Sequence, residues 1–412
     1  PPRSTLNATR RQRQMCIRDS DGILSLSGTA QVTIGGDYVK RDNSRINANS
    51  STITLDGTGS QSVVSGGVAA EDELNSLTIN KASGVVSLGE EILLRGNMTV
   101  SAGSLDAAGY AMTVGGSWNN SGSFTAGGNT VTFNSPVAGP VTLNGGGSSF
   151  GNVIIDADNG AYVYQLGSLL DVAGNLTISR GTLVANGFDI ELGGNWSNGG
   201  TFTPGTATLV LDGAGSQAIT TGGSEAGKSF NHFTVAKSAG VASLSGDLLA
   251  AGDLTISIGT FDAVGNDITV RGNWTDSGGF TTDGGLVTVA ATGGGPYSIT
   301  SGSSFYDLTM NAIGVTYQLG STLDVDHDLT LTAGTLASQD NTIRVGRHWT
   351  NNATFTASSG LVIFDGSANQ NVNTGGSGAG KGFYDLTIQS TGGAVNLNAA
   401  LDVNGSLRVQ SG

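Results

Sequence analysis

The chain is poor in several residue types, and each scarcity excludes a class of protein. Its 412 residues include one cysteine, Cys16, so no disulfide can form within the chain. Proline occurs six times, and charged residues make up only 12%, against roughly 25% in an ordinary soluble domain. No stretch approaches about 18 consecutive apolar residues, so the sequence predicts no membrane-spanning segment.

Positive charge is also scarce once the first twenty residues are set aside. Residues 21–412 contain 13 Lys and Arg against 31 Asp and Glu, and the whole chain has a formal net charge of −14. Nucleic-acid binding needs a basic stripe that neutralises phosphates, and the sequence has none. We therefore predict no nucleic-acid partner and an acidic, polar surface, which suits a soluble extracellular protein.

Glycine and regularly spaced apolar residues are what the chain has instead. The 67 glycines show no three-residue period, which excludes a collagen triple helix. Hydrophobic residues make up 37% and recur in register, which excludes a wholly disordered chain.

The tryptophans reveal a tandem repeat. They recur at nearly equal intervals of about 78 residues, and each stands in a phrase such as GGSWNNSGSFTA. The four are Trp118, Trp196, Trp274 and Trp349. A degraded fifth copy has Tyr38 in the tryptophan's place. Such an array extends a shape rather than building one reaction site.

We interpret residues 21–412 as one continuous solenoid of tandem units. The approximate units are 21–76, 77–152, 153–232, 233–307, 308–385 and a partial 386–412. A finer period of about 19 residues links apolar positions within the units, as stacked turns of a solenoid would. The pairs at this spacing include Leu105 and Phe124, Leu183 and Phe202, Phe261 and Phe280, and Leu336 and Phe355. Each complete unit would thus hold about four turns.

The local pattern predicts short strands. Segments such as LTI, MTV and TVTF alternate apolar residues with Thr or Ser and are separated by Gly-Gly, Asn-Gly and Asp-Gly turns. The predicted fold is therefore all-β, a single-stranded, parallel, right-handed β-helix. In it the residues one fine period apart stack in apolar columns, and the tryptophan phrase forms a structural corner.

Polar residues also recur at predicted corners. Asn97, Asn175, Asp253 and Asp328 precede a strand in each copy, and we expect them to adopt the left-handed backbone of a tight turn. We also expect Asn175 to form a short side-chain amide stack with Asn195, twenty residues later.

The two ends of the sequence differ from the repeats. Residues 1–20 share no phrase with them, and RQMCIRDS resembles a translated sequencing adapter, so we interpret this segment as a non-native leader. The alternative is a basic leader of the protein itself. The last phrase, LRVQSG, matches the first part of LTISRGTLVA (176–185), so we expect the repeat to be cut there.

Candidate chemical groups do not converge in the sequence. The three histidines lie in different phrases, and a catalytic triad or metal centre needs groups that meet at one point. Asp326-His327-Asp328 could hold a metal loosely, but a solvated corner is the favoured interpretation. We likewise expect Glu71-Asp72-Glu73 to be a solvated loop. The sequence thus predicts no catalytic, metal or cofactor site and no enzyme.

The repeat phrases, of the form LTISxGTL followed by GGNWTNxGTFTA, resemble those of long repetitive bacterial surface proteins. They are similar to the passengers of autotransporters and to filamentous-haemagglutinin-like adhesins, which fold as parallel β-helices. The resemblance covers residues 21–412. It implies export and display at the bacterial cell surface, and it carries no catalytic motif to transfer.

The sequence therefore favours a non-enzymatic, extracellular structural or adhesive stalk segment that presents a polar face. Its partners would be cell-surface or matrix glycans or proteins, bound by weak multivalent contacts, with self-association end to end. The alternative is a carbohydrate-active β-helix enzyme or a glycan-binding module. Clustered carboxylates and aromatic residues in the loop inserts at 66–76, 221–231 and 374–384 would favour that alternative.

Overall fold

A computed structural model describes residues 22–41, 44–135, 139–157 and 162–410. These residues form an all-β chain without a helix, in which parallel strands stack as a β-solenoid of about 18 turns. The predicted all-β fold of parallel strands stacked as a solenoid is thereby confirmed. The proposed leader, residues 1–20, lies outside the described residues.

The chain divides into two compact units, Pro1–Gly205 and Thr206–Gly412. The strands of the first unit are mostly three to five residues long, and two longer ones bend around a corner. They are β1 (Ile23–Ser25), β2 (Gln31–Ile34), β3 (Tyr38–Val39), β4 (Arg45–Asn47), β5 (Thr52–Leu55), β6 (Gln61–Val64), β7 (Ser76–Leu88), β8 (Ile92–Leu94), β9 (Met98–Asp106), β10 (Met112–Val114), β11 (Trp118–Asn120), β12 (Ser123–Thr125), β13 (Thr130–Phe133), β14 (Pro140–Asn144), β15 (Asn152–Asp156), β16 (Val163–Leu166), β17 (Leu170–Val172), β18 (Leu176–Arg180), β19 (Thr182–Val184), β20 (Ile190–Leu192), β21 (Trp196–Asn198) and β22 (Thr201–Thr203).

The second unit repeats this design. Its strands are β23 (Thr208–Leu211), β24 (Gln217–Thr220), β25 (His232–Leu244), β26 (Leu248–Ala250), β27 (Leu254–Asp262), β28 (Ile268–Val270), β29 (Trp274–Asp276), β30 (Gly279–Thr281), β31 (Leu286–Val289), β32 (Tyr297–Ser301), β33 (Asp307–Leu319), β34 (Leu323–Val325), β35 (Leu329–Ala337), β36 (Ile343–Val345), β37 (Trp349–Asn351), β38 (Thr354–Thr356), β39 (Leu361–Phe364), β40 (Gln370–Asn373), β41 (Asp385–Ile388), β42 (Val395–Leu397) and β43 (Leu407–Val409).

Each unit closes its turns by parallel pairing between strands about twenty residues apart. In the first unit, one ladder runs β5, β7, β9, β11, β14, β16, β19 and β22, and another runs β8, β10, β13, β15, β18 and β21. In the second unit, one ladder runs β26, β28, β31, β33, β35, β37, β40 and β42. Stacking at roughly 4.8 Å pairs the backbone of each turn on both sides, so few prolines can be accommodated.

The core lies inside the turns because side chains alternate along each short strand. The first and third residues of most three-residue strands are buried and the middle residue is only partly exposed, as in Met112-Thr113-Val114. The apolar pairs one fine period apart in the sequence are register partners in adjacent turns. These are Leu105 with Phe124, Val114 with Phe133, Leu183 with Phe202, Phe261 with Phe280, Val270 with Val289, Leu336 with Phe355, and Val345 with Phe364.

The sequence repeat and the turn of the solenoid are out of step. Four turns back from Trp196 along its ladder the register partner is Met112, which precedes Trp118 by six residues. The intermediate partners are Leu176, Val153 and Val131. Consecutive strands within one turn are also about six residues apart. The repeat therefore falls one strand short of four turns and spans three and two-thirds turns.

The second unit shows the same phase. Four turns back from Trp349 the register partner is Ile268, six residues before Trp274. Within each unit, the two tryptophans therefore lie on different ladders. A surface motif that occurs once per repeat must change face from one copy to the next.

Candidate functional site

The tryptophan phrase builds an aromatic cage inside the solenoid. Every tryptophan opens a strand and is at most 1% exposed. The indole of Trp118 meets the ring of Phe124 edge to face, with centroids 4.8 Å apart, and the ring of Phe150 at 5.2 Å. Trp274 repeats this with Phe280 at 4.8 Å and Phe305 at 5.0 Å. The position predicted to be a structural corner is thus the packed core of each copy.

Sequence reasoning missed the second phenylalanine of the cage. It occurs once per copy and forms an isolated parallel bridge with the following turn. The bridges join Phe150 to Val172, Phe230 to Ala250, Phe305 to Val325, and Phe383 to Val403. The signal was present in the phrases SSFGN, KSFNH, SSFYD and KGFYD, but only this Phe recurs in all four, so the shared pattern is short.

The indole nitrogen contributes little to this packing. Nε1 of Trp118, Trp274 and Trp349 is buried without a hydrogen-bond partner. An unsatisfied buried donor costs about 1–3 kcal/mol, and a nearby aromatic face offsets only part of that cost. The residue is therefore held by its aromatic surface, and the site offers no accessible polar group for chemistry.

A second missed feature follows the tryptophan by two residues. Asn120, Asn198, Asp276 and Asn351 are at most 2% exposed, as part of the phrases WNN, WSN, WTD and WTN. The Asn120 side chain donates to the carbonyl oxygen of Gly145 (2.9 Å) and accepts from the N–H of Gly122 (3.0 Å). In the fourth copy, Asn351 makes the equivalent bonds to Gly380 and Ala353. These residues satisfy the backbone where the chain turns a corner.

The predicted polar corners form ladders of side-chain acceptors. Asn175 Oδ1 accepts the backbone N–H of Asn195 at 2.8 Å, and Asn175 N–H itself donates to Asn152 Oδ1 at 2.9 Å. The same step joins Asn97 to Ser117, Asp253 to Asn273, and Asp328 to His348. We refer to these chains of acceptors as the corner ladders. They add one hydrogen bond between consecutive turns at each step.

One expectation about these corners is untested, and the expected left-handed backbone was wrong. The side-chain oxygen of Asn175 accepts the backbone N–H of Asn195, and a stack of the two side-chain amides stays a prediction. The left-handed backbone occurs elsewhere, at Ala108, Asn186, Val264 and Gln339, with φ of 52°, 55°, 50° and 50°. Asn97, Asn175, Asp253 and Asp328 instead serve as acceptors, because the next turn presents a backbone N–H to each of them.

Two lysines are fully enclosed, which the sequence analysis did not foresee. Lys81 and Lys237 are 2% and 1% exposed. The Lys81 ammonium donates to the carbonyl oxygens of Gly57 (2.5 Å) and Gly59 (2.8 Å) and to Gln61 Oε1 (2.6 Å). Burial lowers the pKa of both lysines, and a nearby aspartate, Asp56 or Asp212, opposes that shift. The ammonium ties the DGTGSQ and DGAGSQ loops to the following turn.

The sequence predicted that the acidic run Glu71-Asp72-Glu73 is a solvated loop, but the structure shows that it is more than that. Asp72 is 6% exposed and forms an ion pair with the buried Lys40. Glu73 pairs with Arg95, whose side chain is largely exposed. This insert is therefore anchored by ion pairs. Lys40 and Asp72 are 32 residues apart, so their pairing cannot be read from a single sequence.

One cluster of three potential metal ligands occurs among the residues described. Asp307, His327 and Asp328 offer atoms within 4.8 Å of one another. His327 Nδ1 lies 2.7 Å from Asp307 Oδ1, and the Arg347 guanidinium contacts His327 Nε2. Tyr306 stacks on the imidazole at 4.5 Å. Both ring nitrogens are thus engaged by protein groups, and a bound cation would face a guanidinium. The arrangement fits a structural corner better than a metal centre.

Burial also affects a tyrosine of the core. It raises the pKa of Tyr317 to about 12, because the ionised phenolate would lose its hydration. The Tyr317 hydroxyl donates to the carbonyl oxygen of Gly272 at 3.1 Å. This tyrosine is therefore a packing residue and not an acid or base.

The third insert borders a groove of about 540 Å³. Its lining includes Thr354, Thr356, Ser377, Tyr384, Asp402 and Asn404, and we call it the insert groove. Tyr384 is 38% exposed, whereas Phe355 beneath the groove is buried. Asp402 is the single carboxylate among the lining residues. The insert groove combines one aromatic ring, one carboxylate, one amide and several hydroxyls.

No protein-family model matches the chain, and no curated protein or solved structure matches it either. The described part of the chain contains no helical segment that could span a lipid bilayer.

Proposed function

We propose that this chain is a non-enzymatic stalk segment of an exported bacterial surface protein. The observation that carries the proposal is the mismatch between the tryptophan repeat and the turn, seen at Trp196 against Trp118 and at Trp349 against Trp274. A reaction site needs groups that converge, whereas this phase rotates equivalent surface residues onto different faces. Such a segment spaces and displays motifs in several directions.

The electrostatics supports the same function. The net charge of −14 disfavours nucleic acid and suits a soluble surface that repels its own copies. The fully buried residues, including the tryptophans and the two enclosed lysines, serve the cohesion of the turns rather than a reaction. Each turn adds its own packing and an interface, so a long segment gains stability in proportion to its length.

The resemblance to autotransporter passengers and filamentous-haemagglutinin-like adhesins supports a location outside the cell. Antibodies raised against this chain should label intact cells of the bacterium that carries the gene, and external protease should remove the label. Labelling only after lysis would contradict the proposal.

A glycan-binding module is the second candidate, and the insert groove favours it over a carbohydrate-active enzyme. Glycoside hydrolysis uses two carboxyl groups separated by about 5–9.5 Å on either side of the bond that breaks. The insert groove contains one, Asp402. Binding without hydrolysis is what its residues support.

A further inference from the structure

We propose that the insert groove binds one or more residues of a neutral, hydroxyl-rich glycan, with the Tyr384 ring as the stacking platform. This inference deepens the proposed function and rests on it, because it assigns a ligand class to one place on the surface of the stalk. Within the second unit, the same tyrosine occurs in two successive copies.

The phrase FYDL occurs at 305–308 and again at 383–386, so Tyr306 and Tyr384 occupy equivalent positions. The Tyr306 ring is covered, because the imidazole of His327 stacks on it at 4.5 Å with only 14° between the planes. In the next copy, Gly405 takes the place of His327. Gly405 has no side chain to stack on the ring, and Tyr384 is 38% exposed, whereas Tyr306 is half-buried.

Gly405 lies directly beside the exposed ring. A Cβ at this position would come within 3.1 Å of Tyr384 Cε1 and within 2.5 Å of Asp385 Oδ1, so the Asp385 side chain would have to shift to accept it. Its backbone is not in the left-handed region, so another residue can occupy the place, as His327 does one copy earlier. The absence of a side chain at Gly405 therefore keeps the aromatic face uncovered.

The insert supplies the other wall of the groove. The segment before Tyr384 is longer than the segment before Tyr306, and its Gly380 approaches Thr354 so closely that a Cβ would meet Thr354 Cγ2 at 2.7 Å. Lys381 is not available to a ligand, since its ammonium donates to the carbonyl oxygens of Asn351 and Ala353. The groove therefore presents polar but mostly uncharged groups.

These groups match the chemistry of a neutral sugar. An aromatic ring offers a flat apolar surface to the C–H face of a pyranose. A carboxylate accepts hydrogen bonds from the sugar hydroxyls, and an amide both donates hydrogen bonds to them and accepts hydrogen bonds from them. Asp402 and Asn404 provide those functions, and Thr354 and Thr356 add hydroxyls. The volume of about 540 Å³ lies within the range of roughly 300–1,000 Å³ that small-ligand sites occupy.

Charge decides between neutral and anionic glycans. Asp402 within the groove and the net charge of −14 both oppose a sialylated or uronate-rich chain. The other two inserts lack the combination, since Asn75 and Asn231 stand where Tyr384 stands and Leu93 and Leu249 where Asp402 stands. The proposal is thus specific to the insert at 374–384.

The test uses the full chain and saturation-transfer NMR with cellotriose, maltotriose and chitotriose as neutral probes, and sialyllactose as the anionic probe. We expect saturation transfer to at least one neutral trisaccharide and none to sialyllactose. Tyr384→Ala should raise the dissociation constant by about tenfold or more, because one stacking contact is lost. Tyr384→Phe should retain binding.

Two further variants separate ligand binding from folding. Gly405→His should block the ring, as His327 blocks Tyr306, and should abolish binding while the near-UV circular dichroism stays unchanged. Tyr306→Ala is the matched control and should bind as the wild type does. Equal signals from wild type and Tyr384→Ala, a preference for sialyllactose, or no response to any neutral probe would overturn the inference. Labelling of intact cells does not depend on Tyr384, so the stalk proposal can stand or fall separately.

Discussion

The aromatic cages inside the solenoid and the tyrosines on its surface are constrained differently by their neighbours. The cages around Trp118 and Trp274 have nearly the same geometry, with their two phenylalanines at 4.8 and 5.2 Å in one and at 4.8 and 5.0 Å in the other. By contrast, Tyr306 is covered by His327, whereas its equivalent Tyr384 is uncovered. One position is fixed by packing, and the other is free to change.

Stacking explains the difference. A cage residue contacts the turns before and after it, so any change in its volume disturbs the register of several strands. A surface residue such as Tyr384 contacts few neighbours, and its replacement alters only what the surface can bind. Variation in this protein is therefore expected on the outside of the turns, where it can create a site without cost to the fold.

The largest effect should come from the cage. Trp274→Ala should lower the free energy of unfolding of its turns by about 3–5 kcal/mol, because it removes the central ring and leaves a cavity. Hydrogen exchange should report the loss in β27, β29 and β32, since unfolding of stacked turns need not be a single transition.

Trp274→Phe is the matched variant for that experiment. It keeps an aromatic ring and sacrifices no hydrogen bond, because Nε1 of Trp274 has no partner. Its cost should be well below that of Trp274→Ala. Equal losses would mean that the indole contributes something other than aromatic packing.

The enclosed lysine should rank second. Lys81→Met should destabilise the first unit by about 2–3 kcal/mol, because the buried carbonyl groups of Gly57 and Gly59 lose a charged donor. In the third copy of the loop, Ser390 occupies the equivalent position and bonds to Gly366 at 2.9 Å. Ser390→Ala should therefore cost less, about 1 kcal/mol. Chemical denaturation of both variants gives the comparison.

The pH dependence of Lys81 has a definite sign. Burial lowers its pKa in the folded chain, so the native state releases this proton at a lower pH than the unfolded chain does. The free energy of unfolding should accordingly rise with pH between the pKa of Lys81 in the folded chain and the ordinary pKa of lysine. The gap in stability between wild type and Lys81→Met should widen over that interval. A gap that narrows would contradict the assigned shift.

A smaller effect is expected at the corner ladders. Asn175→Ala removes the acceptor of the Asn195 N–H and should cost about 0.5–1 kcal/mol. Asn175→Asp preserves an acceptor, as Asp253 does toward Asn273, and should be nearly neutral. Faster exchange of the Asn195 amide in both variants alike would argue against the ladder.

The smallest effect has the opposite sign. Val264 is a β-branched residue at φ 50° and is 51% exposed, whereas Asn186 occupies the same turn in the preceding copy at φ 55°. Val264→Asn should raise the thermal midpoint, with a gain of about 0.5–1 kcal/mol, because asparagine tolerates the left-handed region. Asn186→Val is the reciprocal change and should lower the midpoint.

Much of the fold was predictable from periodicity, but much of the candidate site was not. The spacing of Leu183 and Phe202 in the sequence predicted their register, because stacked turns repeat each inward position at a constant interval. The enclosed Lys81 was missed because a lysine in a strand ordinarily faces solvent, and only the closure of the neighbouring loop buries it. The ion pair of Lys40 with Asp72 was missed for the same reason.

The class of fold follows from the amino-acid sequence, because apolar residues at constant intervals can be buried only if successive turns stack in register. The face that each motif occupies is visible only in the tertiary structure. It depends on the number of strands in a repeat and not on the number of residues. Trp118 and Trp196 look equivalent in sequence, yet they lie on different ladders. Tyr306 and Tyr384 share a phrase, yet a single neighbour, His327 or Gly405, determines whether the ring is covered.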